Sequence, residues 1–175
     1  MHVIVATDGS RQSLAAAKQL KTFADPDKIT EISVVAVIRP LASVAFADDL
    51  NENTRKGELA AISFRDAAKS AVTVIADAFE GWGPKVHKRI RSGSAANEII
   101  KAAEQYGAGL VVIAAGSRGI SETVLMGSTA QRVQHYAPCP VLVVRPQRKV
   151  RAKETKPKEK PKAKRPARRK ASAKK

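Results

Sequence analysis

Two hydrophobic patterns alternate along the chain. Short runs rich in Val, Ile and Leu have the length of strands, and apolar residues spaced three or four apart indicate helices. The strand-like runs span 2–6, 31–38, 109–115 and 140–145, and the segment 85–93 alternates apolar and polar residues as a half-exposed edge strand does. The helical stripes run from Leu14 to Ala24, from Phe64 to Phe79, from Ala96 to Ala103 and from Ser128 to Tyr136. The segment Leu41–Lys56 has weak periodicity and is predicted to be a loop.

Five strands and four helices in strict alternation predict an α/β fold, a single doubly wound five-stranded parallel sheet with helices on both faces. Parallel strands need crossover connections, which helices of this length supply. The continuous apolar runs of the second, fourth and fifth strands predict that these strands are buried on both faces. Ser10 and Ser94 precede the first and third helices and are expected to cap them.

Positive charge is concentrated at the end of the chain. Residues 148–175 carry 15 of the 32 Lys and Arg but only two of the 16 acidic residues, whereas residues 1–147 are nearly neutral. The end segment contains one Val and no other large apolar residue, so it cannot bury enough surface to offset its chain entropy. We therefore predict one α/β domain over 1–147 and a disordered Lys/Arg/Pro/Ala-rich tail over 148–175.

The tail is expected to contact polyanions without reading sequence. It has no aromatic side chain that could stack on bases, so contacts with DNA or RNA would go to phosphates and weaken steeply with salt. Polyphosphate and acidic proteins fit the same charge, and a merely solubilising tail is the bland alternative.

The remaining composition favours a cytoplasmic protein without membrane contact, associated with the nucleoid if the tail binds DNA. Cys139 stands alone and cannot form an intrachain disulfide. No apolar run approaches the ~20 residues that a bilayer span needs, and the first residues lack the pattern of a signal peptide. The three histidines show no metal or triad spacing, so no catalytic residue is predicted.

A glycine- and hydroxyl-rich stretch, Gly116–Thr129, follows the fourth strand and leads into the last helix. In an open α/β sheet, ligands bind beyond the carboxyl ends of the strands where the strand order reverses; this stretch and "TDGS" after the first strand both lie at such ends. Glycines let the backbone approach an anion, and the first-turn N–H groups of a helix favour negative charge. Ser128 and Thr129 hydroxyls would add donors, and Arg118 would reach a phosphate. The stretch matches neither a Walker A loop nor G-x-G-x-x-G, so the residues alone leave both phosphate binding and a simple helix cap open.

Four segments together resemble the universal stress protein family: "IVATDGS" at the first strand, "GLVVIAAGSRG" at the fourth, "GST" opening the last helix and "HYAPCPVLVVR" at the end. The resemblance covers His2 to Arg145. It implies a five-stranded α/β domain of stress-response proteins, often homodimeric, many of which bind ATP. The last strand, Val141–Val144, would be an exposed apolar edge if unpaired, and the family commonly dimerises there, so a homodimer is expected.

ATP-binding members carry the loop pattern G-x2-G-x9-G-(S/T). Gly116, Gly119, Gly127 and Ser128 match it, but seven residues rather than nine separate Gly119 from Gly127, which shortens the loop by up to ~7 Å of extended chain. The same resemblance implies an adenosine end at residues 6–8 and Val37, with Asp8 as a polar contact and Val37 against the base. The implied site comprises Ala6, Thr7, Asp8, Val37, Gly116, Ser117, Arg118, Gly119, Gly127, Ser128 and Thr129, with ATP, with or without Mg²⁺, as ligand and no protein-held metal.

Two functional hypotheses result. The first is a regulatory module that binds ATP or another adenine nucleotide, with at most slow ATP hydrolysis, and contacts DNA or RNA through its tail. The alternative is a dimeric, nucleic-acid-associated structural protein that binds no nucleotide, because a shared fold does not by itself establish a site.

Overall fold

Strands and helices alternate along the chain. The structure, a computed structural model, describes residues 1–39, 52–116 and 126–145, with the backbone alone at 52–62. The strands are β1 His2–Thr7, β2 Glu31–Ile38, β3 Lys85–Ser92, β4 Ala108–Ala114 and β5 Val141–Val144. The helices are α1 Arg11–Phe23, α2 Glu52–Asp77, α3 Ala95–Gln105 and α4 Ser128–Tyr136, and a 3-10 turn at Pro26–Lys28 joins α1 to β2.

The five strands form one parallel sheet in the order β3-β2-β1-β4-β5. The chain builds outward from β1 to β2 and β3, then returns to place β4 on the other side of β1. In the β1–β2 pair the register runs from His2 opposite Glu31 to Thr7 opposite Ala36. The predicted doubly wound sheet is confirmed, and its strand order reverses between β1 and β4, where the two predicted binding loops begin.

Each face of the sheet is covered by two helices. α1 and α2 pack on one face, where Leu20, Ile75 and Phe79 are almost completely buried. α3 and α4 pack on the other face, where Ile99 and Val133 join the buried side chains of the central strands. Burial of these stripes from water is the main favourable contribution to folding, and it confirms the prediction of helices on both faces.

The two edge strands differ from the central ones in exposure. β3 is half-exposed, as predicted for an edge strand. Every residue of β5 is also only half-buried, so the prediction that the fifth strand is buried on both faces was wrong. The reason is its position: β5 is the last strand of the sheet, and within the described residues only β4 pairs with it.

α2 begins earlier than the periodicity predicted. Its first residue is Glu52, so residues 52–56 were wrongly assigned to the loop; residues 40–51 lie outside the described ranges. Phe64 belongs to the predicted apolar stripe but is 50% exposed. A helix of 26 residues is about 39 Å long. The adjacent eight-residue strand spans only about 26 Å. The first half of α2 therefore extends beyond the edge of the sheet, and among the described residues Phe64 has no strand to pack against.

Serine residues precede two of the helices as predicted, but only one caps through its side chain. Ser10 Oγ accepts a hydrogen bond from Ser13 N–H at 3.2 Å, which confirms the cap of α1. Ser94 occupies the N-cap position of α3 without a side-chain capping bond, so that part of the prediction was wrong.

Candidate functional site

The loop after β1 is fixed by its own side chains. Thr7 Oγ1 accepts a hydrogen bond from Gly9 N–H at 3.1 Å and lies 2.9 Å from Ser13 Oγ. Asp8 Oδ1 accepts from Ser10 N–H at 3.0 Å. Gly9 has a φ of 77°, a left-handed conformation that glycine adopts without steric cost. The resulting tight turn leaves Asp8 exposed at the carboxyl edge of the sheet.

The described ends of the segment between β4 and α4 lie against each other. Gly127 N–H donates to Ala115 O at 2.6 Å, which joins the end of the loop to its beginning. A Cβ on Gly127 would lie 3.2 Å from Ala115 O and 3.6 Å from Gly116 Cα. The two predicted glycines therefore lie against each other, and Gly127 is needed there for close approach, because its extended φ of −73° suits other residues as well.

The first turn of α4 presents N–H donors at the same edge. Gly127 is its N-cap residue, and no side chain of the described residues caps the helix. Within the described part of the chain, no group accepts from the amides of Ser128, Thr129 or Ala130, whereas the amide of Gly127 is already bonded to Ala115. Such free amides and the positive end of the helix dipole favour an anion.

An apolar wall adjoins these donors. Ala6 is buried and Val37 half-buried, and both pack into the cluster beneath α3 and α4. Met126, just before the N-cap of α4, packs against the same cluster. Of the residues implied at the adenosine end, Ala6 and Val37 therefore lie on the sheet face that also carries α4.

The fold brings most of the described site residues to one edge. Since β1 and β4 are neighbours, Asp8 and the segment 127–129 both follow strands that end side by side. Thr7 differs, because the residue is only 7% exposed and its hydroxyl forms a hydrogen bond inside the protein. Residues 117–119, which include Ser117, Arg118 and Gly119, lie outside the described ranges.

Sequence reasoning missed a polar clamp beside Val37. Arg91, opposite Val37 in the β2–β3 register, donates from Nε to Glu98 Oε2 at 2.9 Å and from Nη1 to Gln105 Oε1 at 2.9 Å. The hydrogen bond from Arg91 lowers the pKa of Glu98, helped by Lys101 and opposed by burial. Arg91 thereby ties both ends of α3 to the edge strand. The only sequence signal was an arginine in a strand of alternating apolar and polar residues, and that pattern does not predict which side chains the arginine contacts.

A second titratable cluster lies at the opposite, amino end of the sheet. His2 Nε2 lies 2.9 Å from Ser33 Oγ, and its ring stacks on Tyr106 with centroids 5.6 Å apart. Glu31 Oε2 lies 3.8 Å from His2 Nδ1 and 3.2 Å from His87 Nε2. Burial lowers the pKa of His2, and Glu31 partly offsets it. Because this cluster is remote from the carboxyl edge, it bears on stability rather than on the candidate site.

Other chemistry is limited among the described residues. Cys139 has a free thiol whose pKa is raised by burial, as suits a packing residue better than a nucleophile. Among the residues whose side chains the structure describes, 1–39, 63–116 and 126–145, no group of three or more His, Cys, Asp or Glu could hold a metal ion. In the same ranges, no helix has the length and apolar character to cross a bilayer.

The chain matches a known family. The model of the universal stress protein family matches residues 1–145. Universal stress protein MJ0531 of Methanocaldococcus jannaschii is 31% identical over 147 residues, which cover 84% of this chain and 83% of that protein. The chain belongs to the universal stress protein family.

Two solved structures share the fold at low identity. A protein of this family from Arabidopsis thaliana, solved with AMP bound, has a TM-score of 0.59 and 15% identity, with 84% of this chain and 92% of that chain covered. A universal stress protein in complex with cAMP has a TM-score of 0.55 and 18% identity, with 83% and 96% covered. At such identities the likeness shows the fold alone.

Proposed function

We propose that this universal stress protein binds an adenine nucleotide at the carboxyl edge of β1 and β4 and acts as a nucleotide-dependent regulatory module. The observation that carries the proposal is the first turn of α4, whose amides have no acceptor among the described residues and which lies where the strand order of the sheet reverses. The phosphates would accept from the amides of Ser128 and Thr129 and from their hydroxyls. Asp8 and Val37 would face the adenosine, as a polar contact and an apolar wall.

The relatives with the same fold support this ligand class. One holds AMP and another holds cAMP, two nucleotides that share the adenosine and a single phosphorus. We take ATP as the first ligand to test, with any Mg²⁺ carried on its phosphates. Gly116, Ser117, Arg118 and Gly119 complete the proposed phosphate loop, in line with the family pattern.

Removing one backbone donor tests the proposal. Ser128 is the first helical residue, where proline is tolerated, and the extended Gly127 (ψ 153°) suits a following proline. Ser128→Ala removes the hydroxyl, and Ser128→Pro removes the hydroxyl and the amide. Because hydrogen bonds to charged groups contribute about 1.5–3 kcal/mol, Ser128→Pro should weaken ATP binding roughly tenfold or more beyond Ser128→Ala in a calorimetric titration.

Ala95→Pro is the matched control. Ala95 is the first residue of α3, and its N-cap Ser94 is also extended (ψ 124°), but α3 follows the edge strand β3, which β2 and β1 separate from β4. This variant should bind ATP like the wild type. Equal ATP affinity of Ser128→Pro and Ser128→Ala would show that the Ser128 amide does not contact the phosphates. If the wild type bound no ATP, the proposed function would be wrong.

The cationic tail supports a second, separate activity. Residues 148–175 combine 15 basic residues with two acids, so we propose non-specific contact with DNA or RNA phosphates. Affinity for duplex DNA should fall steeply with salt, and a chain ending at Gln147 should lose it. If this truncated chain bound DNA as tightly as the full chain, the tail would have no such role; DNA binding without any nucleotide binding would favour the structural alternative.

We also propose a homodimer through β5. Its four apolar residues are half-exposed, and within the described residues only β4 pairs with it, so its other edge can pair with a second copy of the chain. Light scattering at micromolar concentration should give twice the chain mass, and Leu142→Lys should lower it. A monomeric mass for the wild type would contradict the proposal.

A further inference from the structure

Two buried hydroxyl groups lie directly behind the candidate site. Thr7 is 7% exposed and Ser13 is 2% exposed, and with Ser33 they are the buried polar residues of the described ranges. Thr7 ends β1, and Ser13 lies in the first turn of α1. Both therefore flank the turn that carries Asp8.

The contacts of these hydroxyls assign each proton. Ser13 Oγ donates to Ser10 O at 2.8 Å, so its single proton is used there. The 2.9 Å contact between Thr7 Oγ1 and Ser13 Oγ then has Thr7 as the donor. Thr7 Oγ1 in turn accepts from Gly9 N–H at 3.1 Å. This is the assignment in which every one of the three contacts is a hydrogen bond.

These three hydrogen bonds form a relay that runs from Gly9 N–H through Thr7 Oγ1 and Ser13 Oγ to Ser10 O. The relay holds the turn at both ends. It ties the amide of Gly9, held at a φ of 77°, to the end of β1, and it ties the carbonyl of Ser10 to α1. The side chain of Thr7 is thus directed into the protein, although the family resemblance implied it as a ligand contact. Asp8 is the exposed residue whose position the relay determines.

We propose that Thr7 and Ser13 are positioning residues of the nucleotide site, acting through the Asp8 turn and not by contact with the ligand. The inference rests on the proposed function. A turn that is held before the ligand arrives does not have to be ordered on binding, and loss of the relay transfers that cost to the binding step.

Thr7→Val tests the relay with a nearly isosteric change. It removes the acceptor of Gly9 N–H and the donor to Ser13, and it should weaken ATP binding about five- to tenfold, the effect of roughly one net hydrogen bond. Thr7→Ser keeps the hydroxyl and should bind within about twofold of the wild type. Ser13→Ala removes the same contact from the other partner and should resemble Thr7→Val.

Ser33→Ala is the matched control for a merely structural effect. Ser33 is fully buried, and its hydroxyl bonds His2 at the amino end of the sheet. It should lower the melting temperature to a similar extent but leave ATP affinity unchanged at a temperature where all variants are folded.

The outcomes separate this inference from the proposed function. If the wild type binds ATP and both Thr7→Val and Ser13→Ala bind equally well, the positioning role is wrong and the nucleotide site stands. If Ser33→Ala weakens binding as much as Thr7→Val, the effect is one of general stability and the inference also fails. If the wild type binds no adenine nucleotide, the proposed function fails, and the inference fails with it.

Discussion

Gly127→Ala is the substitution for which the structure gives the clearest expected cost. The added Cβ would lie 3.2 Å from Ala115 O, a backbone atom that cannot rotate away, so the loop end must shift by a few tenths of an ångström. That shift acts on the 2.6 Å bond from Gly127 N–H to the same oxygen. Gly116→Ala is the matched control, because its Cβ would lie 3.7 Å from Gly127 N, an ordinary contact.

Three terms give the magnitude. Weakening one hydrogen bond costs about 1 kcal/mol, and alanine is a poorer N-cap than glycine by roughly 0.5–1 kcal/mol. Replacing glycine stabilises by about 0.4–1 kcal/mol through the unfolded chain. The net loss for Gly127→Ala is about 1 kcal/mol, or roughly 3 °C in melting temperature for a domain of this size. Gly116→Ala has only the last term and should be neutral or slightly stabilising.

Thermal unfolding followed by circular dichroism would measure both variants, with and without ATP. Gly127→Ala should melt below Gly116→Ala in the absence of nucleotide and should gain less from ATP, because the first turn of α4 has moved. If Gly127→Ala is as stable as Gly116→Ala, the close approach of the two loop ends is not what requires glycine there, and the geometry assigned to the site is wrong.

Three further predictions concern stability, each measured by urea unfolding. Because the pKa of His2 is lowered in the fold, the unfolded chain binds protons more readily below the ordinary value of 6.5, so wild-type stability should fall from pH 7.5 to pH 5.5, and His2→Gln should flatten that slope; equal slopes would contradict it. The pKa of Glu98 is also lowered, but here the charged form is favoured, so Glu98→Gln should destabilise at pH 7 and converge with the wild type as the pH falls through the folded pKa, below the ordinary 4.5; a difference that does not narrow while Glu98 itself is protonated, as followed by its side-chain NMR signal, would show that the bond to Arg91 is not the cause. Phe79→Ala should cost about 3–5 kcal/mol because the residue is 1% exposed, whereas the half-exposed Phe64→Ala should cost about 1 kcal/mol or less; similar losses would show that the packing of α2 and of the turn that follows it is misassigned.

Strands and helices with strong local sequence signals were predicted correctly. The run Glu31–Ile38 became β2 with the predicted bounds, and α4 spans Ser128–Tyr136 as its spacing indicated. Both elements are short and have strong signals at their ends, namely Pro40 after β2 and Gly127 before α4. Local preference and tertiary packing agree at these positions, so the sequence was sufficient.

Position within the sheet was harder to predict. The apolar run of β5 is as continuous as that of β4, yet β5 is an edge strand, because strand order depends on crossovers and not on composition. The early start of α2 at Glu52 was missed for a related reason. The helical turns of α2 that extend past the sheet bury no face against it, so their sequence lacks the apolar stripe by which a helix is recognised.

At the site, the backbone features were predictable and the side-chain partners were not. Glycine spacing indicated where Gly116 and Gly127 allow a close approach, and the structure places them in contact. The pairing of Thr7 with Ser13 spans the strand-to-helix turn and depends on the φ of Gly9, which no residue pattern specifies. The sequence alone therefore does not distinguish a hydroxyl residue that contacts a ligand from one that holds a neighbouring turn in place.

The most direct test of the account is the response of the α4 amides to nucleotide. Amide proton and nitrogen chemical shifts of the full-length protein, followed during titration with ATP, should show saturable changes that are largest at Ser128 and Thr129, with smaller ones around Asp8. Saturable binding that leaves the amides of Ser128 and Thr129 unmoved, or the absence of any saturable change, would contradict the assignment of phosphate binding to the first turn of α4.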